Sequence, residues 1–193
     1  MRHGLVSWLL LAMLGLCAGV SGRAWSQTEG PESARDARKL FQQGITQAKQ
    51  GDWTGALNAF EQTYRITKEP SALFNLAGAQ LHLGHMLESN ANYHRFLLLR
   101  DPRITSAHRE AAEAQLASIE KRIPRLRLYV VGLRPEDRLI VDTQRLYPPD
   151  LDHEQWLNPG LHVVTVYRQS GESETHRITL LEEEHKTLSI DVR

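Results

Sequence analysis

Three groups of side chains have the types and spacing for chemistry. His82 and His85 stand three apart, a spacing that puts two imidazoles on one face of a continuous helix. Gly84 lies between them and moves His85 into a turn. A zinc site wants about four ligands, and no third stands nearby. The pair reads as solvated helix-end histidines. Asp150, Asp152, His153 and Glu154 gather ahead of Trp156. A calcium loop alternates its oxygen ligands and places a glycine at the sharp turn; this stretch does not, and reads as solvated loop. Glu182-Glu183-Glu184 reads as solvated turn charge. No P-loop, dinucleotide fingerprint, nucleophile elbow or zincin motif occurs. A triad is assembled in space, and nothing local pairs serine with histidine. The expectation is a protein that is not an enzyme, with no catalytic residues, no metal and no cofactor.

Aromatic and apolar side chains carry more information. Gly51-Asp52-Trp53 is echoed 33 residues later by Gly84-His85-Met86. At that offset Phe41 falls on Phe74, Gly44 on Ala77, Phe60 on Tyr93 and Tyr64 on Leu97. Fixed-period self-similarity is the signature of a repeat architecture. Leu40, Phe41, Gly44, Ile45 and Ala48 recur at helical spacing, and Gly51-Asp52 stops that helix. Ala56, Leu57, Phe60 and Tyr64 line a second helix, with Thr54 as its expected cap. Pro70 suits the first turn of a third, which carries Leu73, Phe74, Leu76, Ala77 and Leu81. A fourth carries Leu87, Ala91, Phe96, Leu97 and Leu98 and ends at Asp101-Pro102. A fifth runs from about Thr105 to Arg122 and is rich in strong helix formers.

At Pro124 the period changes from helical to alternating. Arg125 to Val130, Leu139 to Asp142, Leu161 to Tyr167, Glu174 to Leu181 and Thr187 to Val192 read as strands, with Leu146 in a short edge strand. Asn158-Pro159-Gly160 is a turn. Trp156 and Trp53 read as packing residues. The alternative for Trp156, with Tyr147 and Tyr129, is a sugar-stacking surface.

The N-terminus has the tripartite pattern of a cleaved export signal. Arg2 supplies the charge, Leu5 to Ala18 the apolar run, and Ala18 to Ser26 the small residues. The run is shorter than the roughly 20 residues of a membrane span. Residues 1–26 are the expected signal peptide and 27–35 a linker, which places the protein in the periplasm or cell envelope. The single cysteine, Cys17, lies inside the signal. Net charge is zero over 193 residues, so no global field draws the chain to nucleic acid. Contact with a membrane is expected only through the signal peptide or through lipidation of Cys17, where Leu14-Gly15-Leu16-Cys17 resembles a lipoprotein box.

The helix pairs, with Gly44 and Ala77 at the small mid-helix position and the Gly-Asp-aromatic turn, resemble the tetratricopeptide (TPR) repeat. Ala56 with Phe60, then Ser89 with Tyr93, match its small and aromatic packing positions. Gln43, Gln47 and Thr63 depart from its pattern. The resemblance implies repeats at about 37–69 and 70–103 and a capping helix at 104–123, within a helical domain 36–123. It also implies a concave groove for a protein partner with an apolar or amphipathic segment. Carried over, that groove holds Arg38, Phe41, Ile45 and Lys49 from the first repeat, and Ser71, Phe74, Gly78, Leu81 and His82 from the second.

Residues 124–193 resemble the PEGA domain, a small β module of bacterial envelope proteins. Ile140-Val141-Asp142 and Asn158-Pro159-Gly160-Leu161-His162-Val163 carry the match. Arg134-Pro135-Glu136-Asp137 stands where the name-giving tetrapeptide belongs. The expected architecture is α+β in two domains: five helices in TPR-like hairpins, then a small antiparallel β-sandwich. The expected function is a non-catalytic scaffold of the envelope. Attachment to envelope glycan through the β domain is the alternative.

Overall fold

The computed structural model describes residues 31–193. The expected signal peptide, Cys17 within it and residues 27–30 of the expected linker lie outside the described residues. Five helices come first: α1 (Pro31–Lys49), α2 (Trp53–Thr67), α3 (Pro70–His82), α4 (Met86–Leu98) and α5 (Ser106–Arg122). Residues 31–35, expected as linker, are already helical in α1. Each helix packs on the next in the chain.

The two echoed triplets terminate helices for a backbone reason. Gly51 and Gly84 both take positive φ, 79° and 76°, a conformation that favours glycine and closes a helix end. The cap of α2 is Asp52 rather than Thr54: its carboxylate accepts the Gly55 N–H at 2.9 Å. Asp52 precedes the first helical residue, where a side-chain acceptor reaches the free N–H groups. Thr105 caps α5 in the same manner, and the His108 ring accepts the Thr105 N–H in return at 3.3 Å. The helical core is built on Phe60, Leu73, Met86, Tyr93, Phe96 and Ile119.

Seven strands follow: β1 (Arg125–Val131), β2 (Arg138–Val141), β3 (Gln144–Leu146), β4 (Gln155–Trp156), β5 (Gly160–Tyr167), β6 (Ser173–Leu180) and β7 (His185–Asp191). They form two sheets, ordered β4-β1-β7 and β3-β2-β5-β6. Alternate residues of both point into one shared core, including Leu126, Leu128 and Ile190 from the first and Val141, Val164, Val166 and Leu180 from the second. The architecture is α+β, five helices and then a β region of two sheets. One pairing departs from the all-antiparallel expectation. β1 and β7 run parallel, from Arg125↔His185 to Val131↔Asp191. Between them the chain builds the second sheet, which serves as the long crossover that parallel neighbours require.

Among the described residues, hydrogen bonds join the halves at two places. At one, the Arg122 guanidinium grips Glu182 at 2.8 and 3.0 Å, and the Glu183 N–H donates to the Arg122 carbonyl at 2.8 Å. At the other, the Asn158 side chain accepts the Leu87 N–H at 2.9 Å and donates to Glu88 at 2.9 Å. Asn158 thus caps the start of α4 from the β region.

Candidate functional site

Helical packing decides which groove residues remain accessible. Phe41 is half-buried and tilted against Phe60, ring centres 5.7 Å apart. Ile45 and Leu81 are half-buried against the helical core. Phe74 meets Tyr93 and Phe96 edge-on, 5.3 Å from each. Gly78 lies opposite the Tyr93 hydroxyl. Arg38 and Lys49 are exposed on α1. His82 is exposed at the end of α3, with its ring stacked on Trp53 at 3.6 Å and 5°. Phe41 and Phe74 therefore turn part of their ring surface into the repeat core.

Two of the nine residues share a half-open pocket. Ser71 and Phe74 line a cavity of about 320 Å³, completed by Glu69, Pro70, Asn75, Phe96, Arg103, Ile104 and His108. It sits where the N-terminus of α3 meets the N-terminus of α5 and the C-terminal part of α4. Its apolar surface comes from Phe74, Phe96 and Ile104. The other seven groove residues named from the sequence do not line it. Sequence reasoning missed the α5 side because Arg103 to His108 carries no local binding signal. Those residues become a wall only when α5 folds back beside α3.

The rim is polar and defined. The Asn75 amide donates to the Ser71 carbonyl at 2.8 Å, which leaves its oxygen available as an acceptor. His108 Nδ1 accepts the Thr105 N–H, so a neutral ring carries its proton on Nε2. Arg103 spans two loops: Nε and Nη2 meet Asp101 at 3.0 and 2.7 Å, and Nη1 meets Glu69 at 3.3 Å. The side-chain hydrogen bond from Arg103 holds the Asp101 carboxyl down to about 2. Asp101 and Glu69 are therefore matched against one guanidinium, and the rim offers no free cation for a carboxylate.

On the β region, Trp156 is 43% exposed and Tyr147 55%. This overturns the expectation of Trp156 as a core residue. β4 is a two-residue edge strand, and Leu157 packs on the core in its place. The Arg125 guanidinium lies 4.7 Å from the Trp156 ring centre, and that of Arg145 lies 5.0 Å from Tyr147.

The charged clusters have structural partners. Asp150 accepts the Tyr147 N–H at 2.7 Å. Glu154 stands 3.8 Å from both Arg125 and His185. Glu182 and Glu184, in the expected turn, bind Arg122 and the Leu181 N–H. Among the described residues no three His, Cys, Asp or Glu side chains group as metal ligands. Among them, too, no helix is long and apolar enough to cross a membrane. No protein-family model matches the chain, and no curated protein matches it.

Proposed function

We propose that this protein is a non-catalytic adaptor of the bacterial cell envelope that holds a protein partner in the pocket between α3 and α5. The observation that carries this reading is the half-open pocket lined by Phe74, Phe96 and Ile104 together with polar side chains. The export-type N-terminus and the TPR-like and PEGA-like residue patterns support the setting. The pocket has room for a large apolar side chain of an extended or amphipathic segment. Burying such a side chain contributes roughly 1.5–3 kcal/mol. Asn75 Oδ1 and the His108 Nε2–H are an acceptor and a donor at the mouth, the pair needed to hold one peptide unit of the segment.

The test is crosslinked capture from the envelope fraction, wild type beside the Asn75→Ala/His108→Ala double variant. The lost protein is then titrated against purified wild type and variant. A partner that binds wild type at least about tenfold more tightly, the scale of two lost hydrogen bonds, supports the reading. Equal binding to both overturns it.

A second reading, envelope glycan attachment, is favoured by the exposure of Trp156 and Tyr147. Sedimentation with purified peptidoglycan, lost in Trp156→Ala, would support it. Unchanged sedimentation would exclude the Trp156 face.

A further inference from the structure

Asp142 and His162 lie 20 residues apart in sequence and meet at the joint between the two halves. His162 Nδ1 is 2.7 Å from Asp142 Oδ2, and His162 Nε2 is 2.7 Å from the Asn158 carbonyl oxygen. The ring is buried, 7% exposed. Asp142 is fixed independently. Its backbone turns through φ 53°, its N–H donates to the Val163 carbonyl at 2.7 Å, and its other carboxylate oxygen accepts the Val163 N–H at 2.9 Å. On the far side, the Asn158 side chain caps α4 through Leu87 and binds Glu88.

Both neighbours of the imidazole are acceptors. A doubly protonated ring donates to each; a neutral ring of either tautomer donates to one and sets a lone pair against the other oxygen. At 2.7 Å, lone pair against lone pair is repulsive, and a ring this buried has little water to turn toward. We propose that His162 is a proton-gated pin. Protonated, it holds the Asn158 loop so that the β region caps α4. On losing a proton it releases that loop, and the two halves loosen at this contact.

The charged surroundings are few. Asp142 faces the ring from the β2–β3 turn, and Glu88 on α4 reaches it only through Asn158. From β6 the register partner is the apolar Ile178. Two residues along, His176 Nε2 lies 2.8 Å from Glu174 without hydrogen-bond geometry. His85, which precedes α4, is exposed. The Arg122–Glu182 contact contains no histidine and stays closed when His162 changes state. The motion is thus a hinge opening at α4 rather than separation.

The experiment is hydrogen exchange of the Leu87 amide in the full chain, as a protection factor corrected for intrinsic rate, across about pH 5.5 to 8. Wild type is expected to lose protection about fivefold as pH rises, the scale of losing one helix cap. His162→Gln, with a single side-chain amide, is expected to show no such pH dependence. Asn158→Ala is expected to be low and flat at every pH. Asp142→Asn, a change at a 41% exposed side chain, serves where His162→Gln does not fold, and is expected to flatten the profile. His176→Gln is expected to retain the wild-type profile. Flat Leu87 protection in wild type, or a pH dependence that survives His162→Gln or Asp142→Asn, overturns the proposal.

Discussion

Phe60 lies across Gly44 so closely that a Cβ on Gly44 would stand 2.7 Å from Phe60 Cε1 and 2.9 Å from Cδ1. Phe60 is itself buried in the helical core and has nowhere to move. The first helix pair thus closes through the absence of a side chain at one position. Gly44→Ala gains up to about 1 kcal/mol of helix propensity and incurs about 1–3 kcal/mol of overpacking. At the full gain, a net loss of up to about 2 kcal/mol is expected by urea denaturation. A stabilised variant would mean that α1 and α2 separate freely.

Trp53 and His82 join the first turn to the end of α3 in a near-parallel stack. Trp53→Ala is expected to cost about 2–3 kcal/mol, since its partly buried ring packs on the core. His82→Ala is expected to cost about 0.5–1 kcal/mol, the scale of an aromatic pair beyond its buried area. A double-mutant cycle should give coupling of that smaller size; additivity would show that the rings do not interact.

Asp137 is a buried carboxylate in the loop ahead of β2. It accepts the Arg134 N–H at 3.0 Å and the Gln169 N–H at 3.1 Å, with Arg168 3.5 Å away. The Arg134 backbone hydrogen bond, first among these contacts, holds its pKa below the ordinary carboxylate range. A carboxyl lowered on folding stabilises the fold above its unfolded value, about 3.9, and loses that contribution as pH falls through its folded value. Asp137→Asn turns an amide donor toward a backbone donor. Its melting temperature is expected to drop by several degrees at neutral pH, with the gap narrowing below about pH 4. A gap independent of pH would remove the electrostatic account.

The two halves are expected to unfold together while both joints hold. Arg122→Ala breaks a partly exposed ion pair, a loss below about 1 kcal/mol. Asn158→Ala removes the cap of α4, about 1 kcal/mol. Hydrogen exchange of the slowest helical and β amides should report one opening free energy in wild type and two in the double variant. A single value in the double variant would place the coupling elsewhere, at Pro124 and the apolar ends of α5 and β1.

Helix and strand identity was legible because it follows local periodicity. Phe41, Ile45 and Ala48 declared a helical face, and Leu126, Leu128 and Val130 a strand. The cap of α2 was misplaced because Thr54 and Asp52 are both good cap residues, and backbone geometry at Gly51 chose between them. The pocket was half legible. Ser71 and Phe74 stood on the expected face, but Phe41 and Leu81 share that spacing and pack on the core instead.

The five helices, the change of period at Pro124, most of the strands and the glycines that end α1 and α3 were legible locally. Each depends on residues a few positions apart, whose backbone preferences act before any packing. Long-range packing made β7 return parallel to β1 and brought the start of α5 to the pocket at α3. It also decided that Asp142, His162, Asn158 and Leu87 form one chain of contacts. Apart from the His162–Asn158 contact, four residues apart, those relationships join residues about 20 to 70 positions apart. No local preference encodes them, and they arise when burial of two cores brings distant backbone together.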